Sequence, residues 1–183
     1  MQFHPLTVQA RADTPLGPVR LAASPTGLSG VWFEGQRHEP TAQLHGPSAW
    51  ALGPGHHPVL QEAAHQLQQY LAGERQHFDL PLDLSGGTAF QQSVWRALLQ
   101  IGRGQTTSYG ALGRQLGNPR AVRAVGAAVG RNPLSVVVPC HRVLGADGSL
   151  TGYAGGLDRK RALLTLENAP LFAAAAHPMK ATA

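Results

Sequence analysis

The first part of the chain alternates apolar and polar residues. LTVQA (6–10) and VRLAA (19–23) have this period of two, and LSGVWFE (28–34) is a third apolar run. The segments TPLGP and SPTG separate the three runs with residues that favour turns. Because alternation places side chains of one kind on one face of a strand, the pattern predicts antiparallel β structure over residues 6–34.

A helical period follows an irregular segment, residues 38–57, that is rich in Gly, Pro and His and predicts a loop. Apolar residues recur three and four positions apart from Leu60 to Leu71, and Gly73 can end the predicted helix. Residues 80–84 predict a strand edge or linker. We place a domain boundary at the Ser-Gly-Gly that follows, which gives an N-terminal domain over 1–86 and a second domain over 87–169.

The second half opens with signals for a helix. Thr88 can cap it, Gln91 completes a capping box, and the apolar face is formed by Phe90, Val94, Leu98 and Ile101. A short helix capped by Ser108 and a Gly-Asn turn come next, and Pro119 is suited to the first position of a further helix, PRAVRAVGAAVG. This order of elements is typical of a helix-turn-helix motif.

The second helix of this motif has two features that a DNA-contacting helix would need. Arg120 and Arg123 lie within one turn of each other, and most of the remaining side chains are small: Ala121, Ala124, Gly126, Ala127 and Ala128. Small side chains allow close approach either to a groove wall or to a neighbouring helix. Tight packing between helices, without any nucleic acid, therefore remains an equal alternative.

The rest of the chain predicts a buried strand, a turn and a last helix. LSVVV (134–138), which is apolar except for Ser135, favours a buried strand, and GADGS favours a turn. A helix is predicted from Asp158 to Glu167. The Ala-rich end predicts a flexible tail over 170–183.

Composition fits a protein with a substantial core and a polyanionic partner. Of 183 residues, 43% are hydrophobic and 14% are charged, the formal net charge is +5 and the sequence pI is about 10.1. The single cysteine excludes an internal disulfide, and the N-terminus lacks the pattern of a secretory signal. We therefore expect a cytoplasmic protein that does not span a membrane.

The single cysteine, Cys140, lies within VVVPCHRVLG. Most lone buried cysteines act as small apolar residues, but His141 and Arg142 follow this one directly. A proton-accepting or cationic neighbour raises the thiolate fraction of a thiol and so its reactivity. The pattern indicates a nucleophile whose imidazole partner is oriented by a carboxylate, for which spacing alone leaves both Asp147 and Glu167 open.

A metal site is the competing chemical interpretation. Thiolate zinc sites generally need two or more cysteines at short spacing. One cysteine and nine scattered histidines do not supply such a set, although His56, His57 and His65 would hold a metal weakly. We predict no metal and no other cofactor.

The motif PCHRV (139–143), preceded by RNP (131–133), resembles the active-site signature of the O6-alkylguanine-DNA alkyltransferases, also called methylated-DNA–protein-cysteine methyltransferases. The similarity extends over residues 108–145 and 151–167 and covers most of 90–167. The N-terminal half is similar in length and coarse pattern alone. The resemblance implies an α+β fold: a small antiparallel sheet with a helix, ribonuclease-H-like, followed by an α-rich, winged-helix-like domain that contains the helix-turn-helix.

The resemblance also implies catalytic roles. Cys140 falls on the cysteine that accepts the alkyl group, His141 on the histidine that takes the thiol proton through a water, and Glu167, rather than Asp147, on the carboxylate that orients the histidine. Tyr109 falls on the tyrosine that protonates the leaving guanine at N3. We expect His141 and Glu167 to lower the pKa of the thiol.

Further positions follow from the same resemblance. Asn132 falls on the asparagine that bridges the turn of the helix-turn-helix to the active-site strand, and Arg123 on the arginine finger that replaces a flipped-out nucleotide. The residues expected to contact DNA are Ser108, Arg120, Ala121, Arg123, Ala124 and Arg142. The residues expected to line the guanine pocket are Val129, Ser135, Val143, Tyr153, Ala154 and Gly155.

The expected activity is a single-turnover transfer of the alkyl group from O6-alkylguanine, and from O4-alkylthymine, in double-stranded DNA to Cys140 of a monomer. Ser135 stands where some members have proline, and Ala154 where members often have serine. A lesion-binding relative without transfer activity, a helix-turn-helix regulator and a hydrolytic cysteine enzyme are the alternatives. The family's N-terminal zinc is not expected, since this chain has no cysteine there.

Overall fold

The computed structural model describes residues 2–40 and 57–173, and an antiparallel sheet occupies its N-terminal part. The strands are β1 (Val8–Ala12), β2 (Val19–Ser24) and β3 (Gly27–Phe33), in the order β1-β2-β3. β1 pairs with β2 from Val8 opposite Ala23 to Ala12 opposite Val19. The strands predicted from alternation are confirmed, whereas most of the predicted loop at 38–57 lies outside the described residues.

Helix α1 (Pro58–Leu71) packs on this sheet with the face that its apolar period predicts. Proline at the start of the helix has no N–H that needs a partner. Gly73 follows the helix with φ +82°, a conformation that glycine adopts without steric cost. The buried residues of α1 are Leu60, Ala63, Ala64, Gln66, Leu67 and Tyr70.

Helix α2 (Ala89–Leu98) begins at the predicted capping box. The Gln91 backbone N–H donates to Thr88 Oγ1 at 3.3 Å, and the Thr88 backbone N–H donates to Gln91 Oε1 at 2.9 Å. Trp95 is fully buried, and its indole N–H donates to the Ala128 carbonyl at 2.9 Å. This bond ties α2 to the second helix of the helix-turn-helix.

The helix-turn-helix consists of α3 (Tyr109–Gln115) and α4 (Val122–Gly130), which contact each other. The prediction that α4 begins at Pro119 is wrong by three residues. Pro119 occupies a turn closed by the Ala121 N–H, which donates to the Asn118 carbonyl at 3.1 Å. The fixed φ of proline suits this turn position as well as it suits a helix start.

The apolar run 134–138 is buried, as expected, but it is not a strand. Leu134 forms a single bridge with Val31, and the chain then turns so that the Val138 N–H donates to the Leu134 carbonyl at 2.8 Å. Val136 has φ +72°, which is unusual for a β-branched residue. Periodicity alone cannot separate a buried strand from a buried turn, because both consist of continuous apolar residues.

The two halves of the chain meet at this turn. The Val31 N–H donates to the Pro133 carbonyl at 2.8 Å, and the Ser135 N–H donates to the Val31 carbonyl at 2.9 Å. Strand β3 therefore fixes the backbone just before the PCHR motif. On the other side of the motif, β5 (Val143–Leu144) pairs in parallel with β4 (Thr107–Ser108), directly before α3.

The last helices are α5 (Leu157–Leu166) and α6 (Pro170–Ala173). Helix α5 confirms the prediction over 158–167, with Glu167 as its C-terminal cap. The predicted tail is wrong for its first residues, because Phe172 is buried against Leu144, Leu164 and Ala169. Residues 174–183 lie outside the described part, and no helix within the described ranges is long and apolar enough to cross a membrane.

Candidate active site

Cys140, His141 and Arg142 form one 3-10 turn. Successive side chains of a 3-10 helix point about 120° apart, so the three residues face three different environments. The Cys140 side chain lines a cavity, and the His141 and Arg142 side chains run into the protein interior toward Glu167. The turn therefore brings the predicted nucleophile to a surface cavity while its neighbours remain buried.

The cavity has a volume of about 480 Å³, within the range of small-molecule sites. Residues from both halves of the chain form its walls: Arg37, His38, Tyr109, Gly126, Ala127, Val129, Gly130, Arg131, Cys140, Gly152, Tyr153, Ala154, Gly156 and Leu157. Tyr109, Val129, Tyr153 and Ala154 are thus brought together around the thiol, as the sequence predicts.

Three predicted pocket residues do not reach the cavity. Ser135 is buried behind the wall, and its hydroxyl donates to Gln36 Oε1 at 3.1 Å. Val143 is fully buried in the core. A Cβ on Gly155 would lie 2.8 Å from the Tyr153 ring, so this glycine allows the tyrosine to pack closely. The three residues lie behind the cavity wall and support it, so the prediction that they line the cavity is wrong.

The loop after β3 contributes Arg37 and His38, which no sequence pattern had marked as site residues. The Arg37 backbone N–H donates to the Ala154 carbonyl at 3.0 Å, which joins this loop to the opposite wall. His38 has φ +64°, and its pKa is lowered by burial and by the nearby arginines Arg131 and Arg37. Both residues place hydrogen-bond donors at the mouth of the cavity.

Asn132 holds the thiol. Its side-chain amide N–H groups donate to Cys140 Sγ at 3.0 Å and to the Val138 carbonyl at 2.8 Å, and its Oδ1 accepts from the Leu134 N–H at 3.0 Å. The Asn132 backbone N–H donates to the Val129 carbonyl at the end of α4. The predicted bridge between the helix-turn-helix and the active-site segment is therefore present in the geometry.

Burial of the Cys140 side chain favours the neutral thiol over the thiolate. Burial raises its pKa to about 11, and the Asn132 hydrogen bond and the Lys160 charge offset this effect only in part. The expected lowering of the thiol pKa is wrong, because desolvation of the thiolate outweighs the groups that would lower it. A buried thiol with a raised pKa needs a base that takes its proton when it reacts.

His141 and Glu167 form a buried pair. His141 Nε2 lies 2.6 Å from Glu167 Oε1, and both side chains are fully buried. Burial alone would raise the pKa of Glu167, but His141 and Arg142 hold it well below its ordinary value. Burial lowers the pKa of His141, which is therefore neutral and able to accept a proton. Its Nδ1 has no hydrogen-bond partner among the described residues.

The Arg142 side chain is directed into the protein interior. Its guanidinium donates to Glu167 Oε2 at 2.8 Å, to Glu167 Oε1 at 3.1 Å, to the Tyr70 hydroxyl at 3.1 Å and to the Ile101 carbonyl. The side chain is 9% exposed. Its placement among the DNA-contacting residues was wrong, because the carboxylate that orients His141 also binds this guanidinium in the interior.

Lys160 of α5 is a buried cation that the sequence did not single out. Its Nζ donates to the Val143 and Thr151 carbonyls, each at 2.6 Å, and burial lowers its pKa to about 8. The first carbonyl follows the Cys140–Arg142 turn, and the second directly precedes the cavity-lining segment 152–157. Lys160 therefore fixes that wall against the turn and places a positive charge near the sulfur.

The exposed side of α4 has the predicted character. Arg123 and Ala124 are exposed, as are Arg120 in the preceding turn and Ala127 near the cavity. The two arginines make no hydrogen bond or ion pair with another residue in the part of the chain that the structure describes. Ala121 is half-buried at the helix start, and Ser108 caps α3 by accepting from the Ala111 N–H at 3.2 Å.

Both halves of the chain match domains of one known protein family. Residues 89–169 match the 6-O-methylguanine DNA methyltransferase DNA-binding domain, and residues 8–84 match the ribonuclease-like domain of the same family. The chain belongs to the 6-O-methylguanine DNA methyltransferase family. The α+β fold that the resemblance implied is confirmed.

Relatives within this methyltransferase family span most of the chain. The methylated-DNA–protein-cysteine methyltransferase of Mycobacterium tuberculosis is 49% identical over 155 residues, which cover 85% of this chain and 88% of the relative. The enzyme of that name from Methanosarcina acetivorans is 46% identical over 156 residues, 85% of this chain and 94% of the relative.

A solved methyltransferase structure has the same fold. The crystal structure of M. tuberculosis OGT in complex with DNA superposes with a TM-score of 0.76 and 48% identity, and the match covers 87% of this chain and 92% of that one. Within residues 2–40 and 57–173, no group of three or more His, Cys, Asp or Glu side chains is arranged to hold a metal ion, so the alternative metal centre has no geometric support there. Of its suggested ligands, His56 lies outside the described residues.

Proposed function

We propose that this protein repairs DNA by transferring the alkyl group of O6-alkylguanine to Cys140, irreversibly and once per molecule. The observation that carries the proposal is the position of the thiol in the wall of a 480 Å³ cavity, beside α4 and backed by Asn132 and the His141–Glu167 pair. The sequence similarity to methylated-DNA–protein-cysteine methyltransferases supports it. O4-alkylthymine presents the same kind of alkyl carbon, and we propose it as a second substrate.

In the proposed step, the sulfur attacks the alkyl carbon as the carbon–O6 bond breaks. The electron pair of that bond goes to the guanine, and a new carbon–sulfur bond forms. The thiol proton passes through a bridging water to Nδ1 of neutral His141, and the Glu167 carboxylate stabilises the imidazolium that results. This coupling removes the proton during attack and suits a thiol whose pKa is high.

Tyr109 acts as the general acid in this proposal. Its ring lines the cavity, and its hydroxyl donates to the Gly152 carbonyl at 3.4 Å. Burial raises its pKa, so the phenol retains a proton that it can give to guanine N3 as the leaving group departs. The thioether that forms on Cys140 has no hydrolytic group beside it, and the protein is consumed by one transfer.

The base must leave the duplex to reach the sulfur, because the reacting carbon lies on a base edge inside the stack. The exposed alanines of α4 allow close approach to a groove, and Arg123 extends from the same face to take the place of the extruded nucleotide. The net charge of +5 supports contacts to the phosphate backbone of double-stranded DNA. We propose that a cytoplasmic monomer, with its domain boundary at residues 86–87, performs this reaction.

Methyl uptake tests the proposal directly. Intact-mass spectrometry after incubation with duplex DNA containing O6-methylguanine should show the mass of one added methylene, located on Cys140 by peptide mapping. The same duplex with unmodified guanine is the control and should leave the mass unchanged. Tight binding to the damaged duplex without any gain of mass would contradict alkyl transfer and favour a lesion-binding protein.

Removal of the Arg123 side chain should slow repair of duplex DNA. Arg123→Ala loses the group that offsets the few kcal/mol of unstacking, and we expect about a tenfold lower rate with methylated duplex. The rate with the free base O6-methylguanine should change less than about twofold, since no base pair has to open. Arg161→Ala, which removes an exposed arginine of α5, is the matched control. Equal slowing with both substrates would contradict the role of Arg123.

A further inference from the structure

Tyr70 lies in α1 of the N-terminal half, yet its hydroxyl reaches the carboxylate beside the active-site histidine. The hydroxyl donates to Glu167 Oε1, 97 positions away along the chain, and accepts from Arg142 Nη2 at 3.1 Å. Tyr70 is 1% exposed. Within the described residues, Tyr70 is the α1 side chain that forms hydrogen bonds with Glu167 and Arg142.

Glu167 Oε1 is a shared acceptor. It lies 2.6 Å from His141 Nε2, accepts from Arg142 Nη2 at 3.1 Å and accepts from the Tyr70 hydroxyl, while Oε2 accepts from Arg142 Nε at 2.8 Å. The Tyr70 hydroxyl and Arg142 Nη2 both withdraw negative charge from Oε1, the oxygen that faces the imidazole. Hydrogen bonds to a buried carboxylate are strong, because the surrounding dielectric constant is low.

The protein holds the Tyr70 ring in one place. The ring stacks on Phe78 with centroids 4.8 Å apart, and the Arg103 guanidinium lies 5.7 Å from its centroid. Burial and the adjacent Glu167 raise the pKa of Tyr70 to about 12, so the hydroxyl retains its proton and remains a donor at neutral pH. Its position is set by α1, which in turn packs on the N-terminal sheet.

We propose that Tyr70 is a positioning residue through which the N-terminal half sets the orientation of Glu167 and the proton affinity of His141. This inference rests on the proposed alkyl transfer and gives the ribonuclease-like half a chemical role in it. By sharing Oε1, the tyrosine moderates the pull of the carboxylate on His141 and keeps the imidazole neutral before attack. It also fixes the carboxylate that holds His141 Nε2, which leaves Nδ1 as the imidazole nitrogen without a partner among the described residues.

Several ionisable groups surround His141, and each can affect the pH dependence of Cys140 alkylation. Glu167 and Arg142 contact it or its partner, Tyr153 lies edge-on with ring centroids 6.4 Å apart, and Lys160 contributes a positive charge from α5. Cys140 precedes it on the same turn. Tyr70→Phe changes none of these groups and removes one hydroxyl, so it isolates the tyrosine contribution.

The test is the pH dependence of Cys140 alkylation in Tyr70→Phe, measured both with methylated duplex and with iodoacetamide. Loss of the hydroxyl leaves more charge on Glu167 Oε1 and so raises the proton affinity of His141. The acid limb of both profiles should therefore move to higher pH. The rate with duplex at neutral pH should fall about tenfold, the lower end of the loss found when the outer hydrogen-bond partners of metal-bound histidines are removed.

Leu67→Ala is the matched control, because Leu67 is a buried residue of α1 whose contacts are apolar. It should lower the melting temperature without moving the acid limb. An unmoved acid limb in Tyr70→Phe, or an equal movement in Leu67→Ala, would overturn the proposal. Addition of Tyr70→Phe to Glu167→Gln should cause no further movement, and a further movement would also overturn it. Wild-type protein that takes up no methyl group would instead overturn the proposed function, while iodoacetamide would still report on Tyr70.

Discussion

Methyl uptake falls below detection in Cys140→Ser, which replaces one atom of the proposed acceptor. A serine hydroxyl is a far weaker nucleophile than a thiol toward a saturated carbon, because its oxygen is harder and its proton is held more tightly. We expect a loss of about a millionfold, the size seen when a hydrolase loses its nucleophile. The measurement is transfer of a radiolabelled methyl group from duplex DNA to protein.

A DNA-binding measurement distinguishes loss of the nucleophile in Cys140→Ser from loss of the fold. The serine hydroxyl can still accept from Asn132, and the substitution leaves the exposed residues of α4 unchanged, so affinity for methylated duplex should remain within about threefold of wild type. Residual label at another residue of the serine variant would contradict the assignment of the acceptor.

The second large effect is expected for Asn132→Leu. This substitution leaves the buried Leu134 N–H without a partner, at about 1–3 kcal/mol, and removes one of the two donors to the Val138 carbonyl, which keeps its bond from the Cys140 N–H. The free energy of unfolding should fall by about 2–5 kcal/mol, measured by urea denaturation. The thiolate also loses its hydrogen-bond donor, and the transfer rate of the remaining folded protein should fall about 10- to 100-fold.

Asn118→Ala is the control for this variant, since Asn118 lies exposed in the turn between α3 and α4. Its free energy of unfolding should change by less than about 0.5 kcal/mol. Wild-type transfer rates in stably folded Asn132→Leu would show that the amide does not act on the sulfur.

Local signals in the sequence predicted the elements that depend on local interactions. The capping box of Thr88 and Gln91 fixed the start of α2, and alternation fixed the three strands, because these patterns determine hydrogen bonds within a few residues. The run 134–138 was assigned wrongly because its conformation is set by pairing with Val31, more than a hundred positions away. A buried apolar run can form either a strand or a turn, and the contact with Val31 determines which of the two forms here.

The same distinction between local and long-range contacts applies to the candidate active site. The motif and the family resemblance placed Cys140, Asn132, His141 and Glu167 together, and the structure brings them into contact. The resemblance did not reveal that Arg142 points inward, and no pattern in α1 marked Tyr70 as a partner of a residue 97 positions later. From sequence alone, a tyrosine on the apolar face of an amphipathic helix is interpreted as a core residue. Only the hydroxyl contact with Glu167 distinguishes Tyr70 from the other core residues of α1.

The single 3-10 turn that carries Cys140, His141 and Arg142 constrains how this chain can vary. Each residue added to or removed from such a turn rotates the following side chains by about 120°. A one-residue deletion would send the imidazole toward the solvent or the guanidinium into the alkyl-accepting space, even though all the chemical groups were still encoded. Length within this tripeptide is therefore as tightly restricted as identity, whereas the loop at 145–149 can gain or lose residues without turning the nucleophile away from its substrate.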